Sequence, residues 1–391
     1  MLDSINVGVT GLLGYQQGLR TIANNTANLN TPGYKSSTLQ FTDLFYSSSS
    51  SGGRSTQLGY GLDTAGTRLD FSQGDLRQTG NDFDLAVDGE GLFVLKDAQG
   101  QTSYTRAGQF GFDGDGVLVS RVDGSKVMGI DEAGGSVEIS LDGLRVAAGK
   151  ETSLVRLTGN LSSTSTEETV SPVKVFDALG QEHALSVKFT NTHSTSAGSW
   201  KVEVFDGTTL VGTSQVVFVD GEPTLSSSKL AFSYTPAGGV AQPLTLDLSA
   251  DVTSFASGNL STLAMTSQDG YAPGTLSKVT FDATGTLVAT YSNGQTVKGA
   301  RLALGRFESL DAVEALGGGQ FREAGGIPWT VGCAGEAGFG PLRAGMLEIS
   351  NVDLSREFSS LVVMQRGYQA SSQVISTAND MLQELFGMKN K

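Results

Sequence analysis

The chain opens with Ile5-Asn-Val-Gly-Val-Thr-Gly-Leu-Leu-Gly-Tyr-Gln-Gln-Gly-Leu-Arg-Thr-Ile-Ala-Asn-Asn-Thr26. It closes with Leu354-Ser-Arg-Glu-Phe-Ser-Ser-Leu-Val-Val-Met-Gln-Arg-Gly-Tyr-Gln-Ala-Ser-Ser-Gln-Val-Ile-Ser-Thr-Ala-Asn-Asp-Met-Leu-Gln-Glu-Leu-Phe386. In the first stretch Ile5, Val9, Leu12, Gln16, Leu19, Ala23 and Thr26 follow at steps of four and three. In the second, Leu354, Phe358, Leu361, Gln365, Tyr368, Ser372, Ile375, Asn379, Leu382 and Phe386 do the same. Such steps keep residues on one stripe of a helix, the seam of a coiled coil. Between the two lies a body rich in Gly, Ser and Thr that reads as short strands. A β body with a helix at each end predicts that the ends pair.

The N-terminal helix is intrinsically weak. Gly8, Gly11, Gly14 and Gly18 lie inside it, each costing about 1 kcal/mol against Ala. Val7, Val9, Thr10 and Thr21 lose rotamer freedom there, and isolated helices of this length are marginal. The segment is therefore expected to fold only when packed, with its glycines admitting a close neighbour. Two readings remain open: a helix pair within one chain, or a seam shared by several chains. The polar positions Gln16, Gln365, Ser372 and Asn379 favour the second. The expected seam comprises Ile5, Val9, Leu12, Leu19, Ile22, Phe358, Leu361, Tyr368, Ile375 and Leu382. Asp353 or Ser355 can cap the C-terminal helix, Glu357 suits its positive end, and Gly387 is expected to stop it.

The 391 residues allow two or three domains. A net charge of −14 disfavours nucleic acid and anionic lipid as partners. No apolar run reaches membrane-spanning length, and Met1-Leu2-Asp3-Ser4 does not begin a cleaved secretory signal. The single cysteine, Cys333, allows no internal disulfide.

After the first helix, Pro32 and Gly33 form a stop. Residues 36–70 read as irregular, an extended linker over 31–70 with a low-complexity stretch at 47–53. Leu85–Leu95 reads as two apolar runs about a hairpin turn, and Asp113-Gly-Asp-Gly116 as another turn. Alternation at Val173 and Val175, at Leu185, Val187 and Phe189, and at Trp200, Val202 and Val204 marks a second β region. Within it, Val216-Val-Phe-Val219 is expected to be central. The fold class is thus multidomain α+β. Helices at 1–30 and 354–391 pair as a coiled-coil domain, 71–146 and 270–353 form a core β domain, and 147–269 is an outer β domain inserted into it.

Catalytic and metal chemistry find no support. His183 and His193 lie ten apart without a nearby Cys. Counting from Asp113, the sixth and twelfth positions are Leu118 and Gly124, which fails the calcium-loop pattern. No phosphate loop or nucleophile elbow occurs, and Cys333 sits in a Gly-rich stretch without a His. No catalytic, metal or cofactor residue is assigned.

Three stretches carry a family resemblance. Ile22-Ala-Asn-Asn-Thr-Ala-Asn-Leu-Asn-Thr-Pro-Gly-Tyr-Lys35, with Asn24, Asn25, Thr31, Pro32, Gly33 and Tyr34 as its signature turn, resembles the N-terminal signature of the axial proteins of the bacterial flagellum. Gln73-Gly74, Gln78–Asn81, Asp84–Ala86, Gly89-Glu-Gly91 and Tyr104-Thr-Arg-Ala-Gly108 resemble their core signature. Leu347-Glu-Ile-Ser-Asn-Val-Asp-Leu354 and Gln365-Arg-Gly-Tyr-Gln-Ala370 resemble the C-terminal one. Length, the insert beginning Val173-Lys-Val-Phe-Asp-Ala-Leu-Gly-Gln-Glu-His183 and the returning Tyr291-Ser-Asn-Gly-Gln295 resemble the hook members rather than the shorter rod members. The resemblance implies a structural, non-enzymatic subunit that polymerises with itself into a flexible curved tube, a universal joint carrying motor torque to the filament. It implies an extracellular address in the flagellum and type III export without a cleaved signal. It also implies contacts with the distal rod protein, the hook cap protein, the hook–filament junction protein and the export apparatus. It implies no nucleic acid, cofactor or membrane insertion. Trp329 and Cys333 depart from the small polar residues expected at their positions. The alternatives are a distal rod component and a secreted β-rich adhesin.

Overall fold

The computed structural model describes residues 2–44, 46–51, 54–194, 196–258, 260–336 and 338–389. Two compact units emerge. The first comprises 1–142, 279–288 and 298–391, and the second 143–278 and 289–297.

In the first unit, helix α1 (Leu2–Ala27) packs along helix α2 (Leu354–Lys389). Asp353 caps α2, its Oδ1 accepting the Ser355 N–H at 2.8 Å and the Arg356 N–H at 3.3 Å. Gly387 does not stop α2. It stays inside the helix at a cost of about 1 kcal/mol, without the left-handed φ of a terminating glycine.

The segment expected to be irregular is instead two antiparallel ribbons. Strand β1 (Ser37–Asp43) pairs with β4 (Leu62–Leu69), and β2 (Tyr46–Ser51) with β3 (Arg54–Gly59). Of the low-complexity stretch, Gly52 and Gly53 lie outside the described residues. The ribbon forms because α1 supplies a surface for it. The Tyr15 and Phe41 rings sit 5.9 Å apart, and a Cβ on Gly14 would lie 2.4 Å from Leu62.

The β part of this unit is built around Leu92–Lys96, which pairs with Thr102–Thr105, Lys126–Ile130 and Thr296–Arg306. Leu85–Val87 does not form a hairpin with it. Leu85–Val87 pairs with Leu342–Ala344, and the intervening turn is taken up by Arg106, described below. Trp329 stacks on Tyr104 at 4.0 Å, and Cys333 ends the strand Thr330–Cys333. Both are buried, and burial pushes the Cys333 thiol pKa up. Trp329 stands where a small polar residue was expected because it fills a core with Leu92, Val94, Phe321 and Phe307.

The second unit packs two five-stranded sheets face to face over one core. One sheet runs in chain order from Glu167–Phe176 through Glu182–Asn191, Ser199–Asp206 and Thr209–Val219 to Glu222–Pro223. Val173, Val175, Leu185, Val187, Phe189, Trp200, Val202 and Val204 all point into the core. Val216–Val219 is not central, because only Glu222–Pro223 lies beyond it and Val219 is exposed.

One turn recurs at Asp97, Asp113, Asp131, Asp177 and Asp282. Each Asp Oδ1 accepts the backbone N–H groups two and four residues on, at 2.7–3.0 Å. The fourth residue is always Gly, with φ between 76° and 85°. The Asp113 turn is therefore a hairpin device.

The second unit's entering and leaving strands are tied by Asp269. Its carboxylate accepts the N–H groups of Ser153 and Leu154 (2.8 Å each), the Ser153 hydroxyl (2.7 Å) and the Lys150 ammonium (3.0 Å). Burial pushes this carboxyl up, but these donors outweigh it and hold its pKa well below the usual range. A depressed carboxylate pKa stabilises the fold above the unfolded value of about 3.9, and that stability is lost as pH falls below it. Asp269→Asn is thus predicted to lower the melting temperature of this unit at pH 7 and to flatten its acid transition below about pH 4. An acid transition identical to that of the parent chain, followed by circular dichroism, would discount the tie.

Candidate assembly interface

The helix pair is antiparallel. Opposite Gly18 is Met364, opposite Gly11 is Ser371 and opposite Gly8 is Ile375, while Tyr15 lies against Gly367. A Cβ on Gly8, Gly11 or Gly18 would come within 2.6–2.9 Å of these side chains. The glycines therefore let α2 of the same chain approach α1 closely. Their stripe continues to the buried Ile22 and Asn25. The expected seam positions Ile5, Val9, Leu12 and Leu19 fall one residue away, about 100° around the helix. Of the seam residues, Ile22 is buried, while Ile5, Leu12, Leu19, Leu361, Ile375 and Leu382 are half-buried. Val9 (41%), Phe358 (56%) and Tyr368 (41%) remain exposed, as does Leu13 (61%). The close neighbour expected at the glycines is α2 of the same chain, a face that apolar periodicity alone does not mark because glycine carries no apolar signal. The regular recurrence of Gly8, Gly11 and Gly18 at helical spacing was the available clue.

The signature turn anchors this pair. Asn25 is buried and fully hydrogen-bonded: its amide donates to Ser37 O (2.8 Å) and Glu357 Oε1 (3.0 Å), and its Oδ1 accepts from Ser37 N (3.0 Å) and the Tyr34 hydroxyl (3.2 Å). Asn24 donates to the Tyr34 hydroxyl at 2.9 Å, and Thr31 donates to Asn28 at 3.1 Å. After Pro32, Gly33 turns with φ 69° and donates its N–H to Glu348 O at 2.8 Å. A Cβ there would lie 2.4 Å from Ala107 N, so only glycine fits.

Beneath the turn lies a buried charge hub. Glu348, about 1% exposed, accepts from Lys35 Nζ at 2.7 Å and from Gly74 N at 2.9 Å, and it pairs with Arg106 Nε. Two cations face one carboxylate, and backbone oxygens take the excess positive charge. Arg106 donates to Val87 O (2.8 Å), Gly89 O (2.6 Å) and Gly91 O, and Lys35 donates to Ser72 O (2.7 Å). Burial pushes the Lys35 pKa down against the pull of Glu348. Asn351 extends the hub, accepting from Ser36 N (2.8 Å) and donating to Asp70 O (2.8 Å). All three signature stretches thus converge on one carboxylate. Among the described residues, no group of His, Cys, Asp and Glu is placed to hold a metal ion. His183 instead pairs with Asp177 at 3.1 Å.

These features, terminal helices joined to a β core through the signature turn and the buried hub, fit a subunit of the flagellar axial class. Family models match residues 5–35 (flagella basal body rod protein), 86–152 (flagellar hook protein FlgE/F/G D1 domain), 149–271 (flagellar basal body protein FlaE D2 domain) and 343–388 (flagellar basal body rod FlgEFG protein C-terminal). The flagellar hook protein FlgE of Escherichia coli K12 is 30% identical, the match covering 97% of this chain and 98% of that one. That of Treponema pallidum is 29% identical over the whole of both chains. The chain belongs to the flagellar hook protein family. The crystal structure of Helicobacter pylori flagellar hook protein FlgE2 shares the fold, with TM-score 0.53 and 14% identity over 70% of this chain and all of that one.

Removing one partner of a buried ion cluster costs about 3–5 kcal/mol, because the remaining charges lose compensation. Glu348→Gln is predicted to destabilise the first unit by that amount in denaturant melts. Lys35→Met should cost less, since Arg106 still neutralises Glu348. A Glu348→Gln effect under about 1 kcal/mol would remove the hub's structural role.

Proposed function

We propose that this chain is the structural subunit of a bacterial flagellar hook and polymerises with itself into a curved, flexible tube that passes motor torque to the filament. The observation that carries this reading is a helix pair that is complete within the chain yet keeps a second apolar stripe, Val9, Leu13, Phe358 and Tyr368, facing solvent. Such a stripe repeats in every copy, and a heterologous contact that does not close generates a helical polymer. Of the expected seam, Ile5, Val9, Leu12, Leu19, Phe358, Leu361, Tyr368 and Leu382 then hold copies together, while Ile22 and Ile375 lie on the face packed within the chain, and the hub fixes the helices to the core β domain. The inserted domain over about 147–269 is rich in Ser and Thr and offers the weak, wet contacts that sliding requires. No helix among the described residues is long and apolar enough to cross a membrane. As an axial subunit it lies outside the cell, exported through the flagellum's own type III apparatus. There it contacts the distal rod, hook cap and hook–filament junction proteins. The family is structural, and catalysis has no place in the role.

Electron microscopy of a hookless strain carrying this gene tests the reading. The parent chain should restore hooks. Leu12→Asp or Leu361→Asp places a charge in the packed seam at roughly several kcal/mol per subunit. These variants should keep the β-domain melting transition and yield rods without hooks; hooks of normal length would reject the seam assignment. Replacing 147–269 by a short Gly-Ser bridge should give straighter tubes, and loss of all polymer from a folded truncated subunit would overturn the division of labour.

A further inference from the structure

The second unit is entered and left at one place. Lys150 and Tyr271 face each other as an antiparallel pair, each donating its N–H to the other's carbonyl oxygen at 2.9 Å. Their Cα atoms therefore stand about 5.5 Å apart. Just behind this mouth lies a collar of side-chain bonds. Asp269 accepts from Lys150, Ser153 and Leu154, as described above. The fully buried Thr152 makes two bonds with Phe176: its N–H donates to Phe176 O at 2.9 Å, and its hydroxyl oxygen accepts the Phe176 N–H at 2.8 Å. The same hydroxyl donates to Gln268 Oε1 at 2.9 Å. Gln242, also buried, donates to Thr152 O (3.3 Å) and Phe176 O (3.1 Å). The entering segment is thus bonded to the leaving segment, to the last residue of Glu167–Phe176 in one sheet and to the first residue of Gln242–Asp247 in the other. None of these collar residues is a member of the unit's hydrophobic core.

We infer that the collar is a mechanical latch: tension carried along the chain crosses from Lys150 to Tyr271 through it, and the two sheets behind stay outside the load path until the latch breaks. Pulling apart the ends of a closed loop loads its mouth first. Each bond further in bears force only after the one ahead has gone. Forced unfolding is governed by the rate of crossing the first barrier, so the collar sets that rate and the size of the core does not. A subunit built this way keeps the core of its inserted unit intact while the chain around it is strained.

Forced unfolding of the full chain in optical tweezers tests the latch. Handles attach at Asp142→Cys and Ser277→Cys, both exposed and both outside the collar, and the native Cys333 is buried. Asp269→Asn should speed forced unfolding of the second unit at least about tenfold, the loss expected for one hydrogen bond to a charged group. Lys150→Met, which removes one exposed donor of the same carboxylate, should speed it less. Val187→Ala in the buried core should lower the melting temperature followed by circular dichroism, yet leave the forced-unfolding rate within about twofold of the parent, because core contacts break after the latch. A Val187→Ala rate raised as much as that of Asp269→Asn would overturn the latch, as would parental rates in both collar variants.

Discussion

The Glu348 carboxylate is the constraint on which the first unit depends. It binds Lys35 from the segment after α1, Gly74 and Arg106 from the core, and it sits six residues before α2. A buried ion cluster gains little over apolar packing, because desolvation consumes most of the attraction. Its value here is directional. Only one arrangement satisfies every donor and acceptor, so the segment after α1 and the segment before α2 are held at one place. The close α1–α2 register follows from that tether, with Asn25 and Glu357 bonding at its base.

The helix pair shows two kinds of contact with different sequence signals. The face inside the chain is built from glycines, which allow short interaxial distances and so many weak dispersion contacts. The face left open is built from Val, Leu, Phe and Tyr. Apolar periodicity detects the second and overlooks the first. The seam read from the sequence is therefore displaced about one position from the intrachain stripe on α1. The exposed apolar face is what a polymer subunit needs, and the glycine face keeps each copy's two helices in register.

The second unit was largely legible. Alternation at Leu185, Val187 and Phe189 and at Trp200, Val202 and Val204 marks buried strands because side chains on a strand switch face at every step. The Asp-x-x-Gly turns were equally readable, since the Asp carboxylate and the left-handed Gly act within five residues. Less legible was anything needing a partner distant in sequence. The ribbon of Ser37–Asp43 and Leu62–Leu69 reads as irregular because its strands are polar and gain their order from α1. The apparent hairpin at 85–95 failed because Leu342–Ala344 and Arg106 compete for its backbone groups.

The sequence by itself determined the elements whose causes are local: two helices at the ends, alternating strands between them, the Asp-Gly turns and the Pro32-Gly33 stop. It also carried the signatures that place the chain in its family. Only the tertiary structure decided that Lys35, Arg106 and Glu348, spread over more than three hundred residues, share one buried site. It likewise decided which helix face is spent within the chain and which is left for a neighbour. The physical reason is the same in both cases. Charge compensation and close packing depend on which groups meet across the fold, and nothing in the spacing along the chain encodes that meeting.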